Sequence, residues 1–90
     1  KLARQQSAES RKKLAPLTKK IKTLEAKIEK EQQQLQRIEM QLADAELYDD
    51  NHKDRLKICL AQQATSKKNL VALEEDWLET QEHIESMAEQ

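Results

Sequence analysis

The ninety residues contain no glycine and no phenylalanine, with one proline, one cysteine, one tryptophan and one tyrosine. Each shortage closes off a class of function. Without glycine no loop can wrap its backbone around a phosphate, so a nucleotide site is not expected within these residues. A single thiol, Cys59, has no partner for an internal disulfide, which suits a reducing, cytoplasmic setting. No run approaches the ~18 consecutive apolar residues that a membrane span needs. Neither an initiator methionine nor a signal-peptide pattern is present, and the opening Lys1-Leu2-Ala3-Arg4 reads as part of a longer protein. With so little aromatic bulk, a chain of this length cannot build an ordinary globular core.

Charged residues make up 37% of the chain and apolar residues another 37%. A composition this polar is open to disorder, but the apolar residues are not scattered. One series runs Leu14, Leu17, Ile21, Leu24, Ile28, Glu31, Leu35, Ile38, Leu42. A second runs Leu56, Cys59, Gln63, Ser66, Leu70, Leu73, Trp77, Thr80, Ile84, Met87. Steps of three and four alternate in both, the 3.5-residue repeat that holds one narrow seam of a helix against a partner. The pattern predicts an all-α fold: a monomer of two long helices forming an antiparallel coiled-coil hairpin. About 35–40 residues per arm would make it roughly 50–60 Å long.

Charge supports the folding back. Residues 1–30 hold ten Lys/Arg against three Asp/Glu, whereas residues 69–90 hold seven Asp/Glu and no Lys or Arg. An antiparallel hairpin lays these two segments side by side. The favoured alignment sets Leu17 against Trp77, Ile21 against Leu73 and Leu35 against Cys59. It places Glu31 opposite Gln63, so that two polar residues share a layer. Its flanking pairs are Lys20 with Asp76, Glu25 with Lys67 and Glu39 with Lys53. Sliding by one heptad brings Glu25 near Glu74 and buries Glu31 against Leu70, which costs more than exposed ion pairs return.

Leu42 to Asn51 is the break. Asp44 is suited to cap a short helical turn, and Asp49 or Asp50 to cap the second long helix, because their carboxylates accept free N–H groups. Leu47 and Tyr48 are expected to close this end as an apolar lid. Pro16 interrupts the donor series of the first helix, with helix expected on both sides of a kink. Ser7 and Ser10 would face Met87 and Ile84 in a weakly packed end.

No catalytic or metal constellation stands out. His83 lies four residues after Glu79 and His52 sits near the turn, too few ligands for a metal. Both are expected to be solvated, Cys59 to be a buried inert thiol without a nearby base, and Trp77 to pack in the seam. Two surface features remain. Basic clusters at Lys12, Lys19 and Lys22 on the first arm, and at Lys53, Arg55 and Lys57 near the turn, are candidates for phosphate contact. The net charge of −1 makes such binding weak and sensitive to salt. Ala64, Val71 and Leu78, with Ile58 and Ala72 alongside, form an off-seam apolar line that could dock another helix or domain.

The segment Leu42-Ala43-Asp44-Ala45-Glu46-Leu47-Tyr48-Asp49-Asp50, followed by Lys53, Leu56, Leu60, Leu70 and Glu75-x-Trp77, resembles the C-terminal coiled-coil domain of ABC-F ATPases. Within that family it is most similar to the YheS branch, with Uup as a relative. The family often has proline where this chain has Ala45, a difference expected to let helix run further into the turn. The resemblance covers about residues 14–88. It implies that ATPase cassettes, with their ATP, lie upstream, and that residues 1–13 form a linker or helical extension from them, with the hairpin at 14–90. It implies a partner that is ribosomal RNA or DNA, with the arm's own cassettes as a further contact, and a non-catalytic role on a ribosome-associated protein. A purely structural or protein-docking hairpin is the competing class.

Overall fold

The computed structural model describes the backbone of residues 2–88 and the side chains of residues 11–87. Two long helices account for nearly all of it. α1 spans Leu2–Leu42, two short 3₁₀ turns follow at Ala45–Tyr48 and Asp50–His52, and α2 spans Lys53–Ala88. No strand occurs among the described residues. The longest dimension is 73 Å and the other two are 14 Å each. This exceeds the length expected from the seam alone. α1 has 41 residues, about 62 Å of helix by itself, because it continues through Pro16 and past residue 14 to Leu2.

The seam determines burial along both helices. Every residue of the two series, Leu14 to Leu42 and Leu56 to Met87, is buried or half-buried. The most enclosed are Leu24 and Ile38 on α1 and Cys59, Ser66 and Thr80 on α2. All five occupy the same heptad position, three residues after the other seam position. The expected seam layers involving Ser7 and Ser10 lie outside the described side chains.

Three bonds between the helices fix their relative direction. Cys59 Sγ lies 3.3 Å from Gln41 Oε1 and donates to it. Trp77 Nε1 donates to Glu25 Oε1 at 3.2 Å, and Lys20 Nζ meets Asp76 at 3.2 Å. Gln41 bonds near the start of α2, and Lys20 and Glu25 bond near its end, so the two helices run in opposite senses. Lys20 with Asp76 is a flanking pair of the favoured alignment. The other two expected pairs are replaced. Glu25 takes the indole N–H instead of Lys67, and Lys53 takes Asp50, one turn away, at 3.7 Å instead of Glu39. Gln41 with Cys59 and Glu25 with Trp77 each lie within one residue of the alignment slid by one heptad, in which Leu24 is level with Trp77. The favoured alignment would leave Glu25 about 12 Å along the axis from the level of Trp77, too far for this bond, so these two bonds contradict it.

The chain reverses without any residue at positive φ. α1 ends with Ala43 N–H on the Glu39 carbonyl at 3.0 Å and Asp44 N–H on the Gln41 carbonyl at 3.2 Å. Asp44 is extended, and its carboxylate accepts from Glu46 N–H at 3.1 Å, capping the first 3₁₀ turn as expected. Asp49 accepts from Asp50 N–H at 2.9 Å and caps the second 3₁₀ turn, whereas the sequence had suggested a cap on α2 itself. Ala45 does not lengthen α1. It occupies the first position after the cap, where a proline fits equally well. Of the expected lid, Leu47 is buried but Tyr48 is not. The Tyr48 hydroxyl donates instead to the Leu42 carbonyl at 2.6 Å, satisfying one of the acceptors left free where α1 stops.

Candidate nucleic-acid interface

All six basic residues singled out from the sequence are exposed: Lys12, Lys19, Lys22, Lys53, Arg55 and Lys57. Their surroundings differ sharply. On α1, Lys19 and Lys22 line two adjoining shallow grooves, one bounded by Arg11, Ala15 and Thr18, the other by Ala26, Lys27 and Lys30. The small side chains between the cations leave their heads accessible from one direction. Lys27 and Lys30 belong to this face although seven-residue spacing does not pick them out. The signal was present in the steps of three and four from Lys19 through Lys22, Thr23, Ala26, Lys27 and Lys30, which trace one face of a helix.

Near the turn the cations stand among carboxylates. Lys53 lies within 3.7 Å of Asp50, with both side chains well exposed. Arg55 lines a small pocket beneath the turn together with Asp44, Glu46, Leu47, His52 and Cys59. An approaching phosphate would meet Asp44, Glu46, Asp49, Asp50 and Asp54 in the same neighbourhood. The structure thus separates two clusters that looked alike in the sequence.

Other candidate residues sit as follows. Cys59 is buried, and its thiol is engaged by Gln41. Trp77 is half-buried in the seam, as expected. His83 is exposed. His52 departs from expectation: it is half-buried, and its Nδ1 is enclosed without a hydrogen-bond partner. Glu31 is half-buried and lines a groove with Gln34, Gln62, Ser66 and Asn69, a polar set that does not include the expected Gln63. Among the described residues no three His, Cys, Asp or Glu side chains come together in a metal-binding group. No helix among them is long and apolar enough to cross a membrane.

No protein-family model matches the chain, and no solved structure matches it. Curated relatives do. The chain is 52% identical over 46 residues to the probable ATP-binding protein YheS of Escherichia coli O6:H1 strain CFT073. It is 50% identical over the same length to the protein of that name from Escherichia coli K12. The matched stretch is 51% of this chain but 7% of either relative. The chain is therefore a partial homologue of YheS, the branch to which the residues around the turn had pointed.

Proposed function

We propose that the chain is an antiparallel coiled-coil hairpin serving as the non-catalytic C-terminal interaction arm of a ribosome-associated ABC-F ATPase. In that role it works in the cytoplasm, while cassettes elsewhere in the parent bind ATP. Its contact with ribosomal RNA or DNA runs along α1, through Lys12, Lys19 and Lys22 joined by Arg11, Lys27 and Lys30. The similarity to a probable ATP-binding protein supports the parent family. The observation that carries the contact surface is the cationic face of α1, where Lys19 and Lys22 are shared by both grooves. Phosphate recognition needs several cations reachable from one side, with few carboxylates intervening. The turn cluster of Lys53, Arg55 and Lys57 contributes less, because the turn carboxylates offset it.

The test compares two charge reversals for binding of a short RNA duplex and a short DNA duplex at low salt. Lys19→Glu with Lys22→Glu is expected to weaken binding about tenfold or more, from the loss of two phosphate contacts and the gain of two repulsions. Lys53→Glu, Arg55→Glu and Lys57→Glu together should have a smaller effect. Helical circular dichroism should be unchanged in both variants, since every altered position is exposed. Wild-type binding that persists above ~200 mM salt, or equal affinity in the α1 variant, would refute the assignment.

A further inference from the structure

α2 carries a second surface of opposite character. Val71 and Leu78 are 55% and 53% exposed. They lie seven residues apart on one side of the helix, in line with Ala64 and outside the seam. Glu74 and Glu75 stand three or four residues from both, and Glu82 stands four beyond Leu78, so carboxylates flank the line from Val71 onward, while Lys67 and Lys68 flank its Ala64 end. Among the described acids of this stretch, Asp76 alone is in an ion pair.

We infer that this face of α2 docks an amphipathic helix from another protein, one that presents aliphatic residues bordered by Lys or Arg. The seven-residue spacing is the period at which a helix lying alongside stays in contact over successive turns. The charge chooses the partner. Nucleic acid is repelled by a stretch with seven carboxylates and no cation. A second copy meeting this one through the same stretch of α2 fits poorly, because it would set carboxylates against carboxylates. The exposed face of α1 from Arg11 to Lys30 has the right charge but no large exposed apolar residue to meet Val71 and Leu78. The apolar line is short, well below the ~1,000 Å² of a stable interface, so the association is weak and supported by charge. This inference does not depend on the nucleic-acid contact, which uses the other helix.

The experiment titrates the 90-residue chain into a fluorescently labelled 21-residue helical peptide of leucine in heptad spacing with lysine elsewhere. A control peptide has the same number of lysines, with every leucine replaced by serine. The leucine peptide should bind at low salt and the serine peptide at least tenfold more weakly. Val71→Ser with Leu78→Ser should remove that tenfold advantage, and Glu74→Gln with Glu75→Gln should weaken binding several-fold. Met40→Ser, at an exposed apolar position on α1, should bind as the wild type does. Equal binding of the two peptides, or no effect of the Val71 and Leu78 changes, overturns the inference. A wild-type dimer in sedimentation that becomes a monomer on those same changes also overturns it, by assigning the face to a second copy.

Discussion

α1 and α2 bury the same seam with different materials. Eight of the nine α1 seam residues are Leu or Ile, with Glu31 the exception, whereas α2 uses Cys59, Gln63, Ser66 and Thr80 among its ten. Yet Ser66 at 2% and Thr80 at 4% exposure lie deeper than Leu70, which is only half-buried. Side-chain hydrophobicity therefore does not decide burial on α2, where Leu73, at the same heptad position as Ser66 and Thr80, is also only half-buried. The small residues at the deep positions of α2 leave room for the large ones of α1. Small polar residues carry a cost that is met unequally. Thr80 returns its hydroxyl to the Asp76 carbonyl at 2.7 Å, while Ser66 Oγ is enclosed with no partner.

This asymmetry sets the expected order of mutational effects. Leu24→Ala, at 5% exposure on α1, should cost about 2–5 kcal/mol in urea unfolding. The same change at half-buried Leu70 should cost clearly less, and equal losses would abolish the contrast between the helices. Glu31→Leu should raise stability by about 1–2 kcal/mol, because it supplies the aliphatic side chain that the α1 seam otherwise lacks there. A lower melting temperature would show that Glu31 makes a bond in solution that outweighs its burial. Ser66→Ala should stabilise by about 1 kcal/mol, since it removes a buried hydroxyl with no partner and leaves the packing nearly unchanged. Destabilisation would mean that the hydroxyl is satisfied by water. The smallest effect is expected from Trp77→Phe. It deletes the bond to Glu25 but keeps an aromatic ring in the seam, costing about 0.5–1 kcal/mol by circular dichroism.

The periodicity made the whole seam legible, including Ser66 and Thr80, which no hydropathy ranking would place inside. The partners that side chains choose across the seam were less legible. Charge pairing favoured one alignment, but the Gln41–Cys59 and Glu25–Trp77 bonds match the other, one heptad away. Lys53 finds Asp50 within one turn, which orders less chain than a reach to Glu39. At the turn, Asp44 was recognisable as a cap. Asp49 or Asp50 was expected to cap α2, but Asp49 caps a 3₁₀ turn and Asp50 lies within it, because a 3₁₀ turn and the start of an α-helix differ by one residue in hydrogen-bond spacing. In the candidate interface, Lys12, Lys19 and Lys22 were visible as charge. The acidic setting of Lys53, Arg55 and Lys57 emerged only once the chain was folded around Asp44 and Glu46.

The glycine-free reversal between α1 and α2 also bears on how the molecule comes together in time. Its backbone needs no left-handed residue, and two aspartate caps, the buried Leu47 and the Tyr48 hydroxyl hold it from within a dozen residues. Contacts beyond it join residues ever further apart along the chain, 18 for Gln41 with Cys59, then 52 for Glu25 with Trp77 and 56 for Lys20 with Asp76. Each added layer closes only a small further loop once the one before it has formed. The two helices are accordingly expected to zip from the turn toward the far end and to open in reverse. Weakening Ile38 or Leu47 should slow folding, whereas weakening Leu17 or Ile84 should chiefly hasten unfolding.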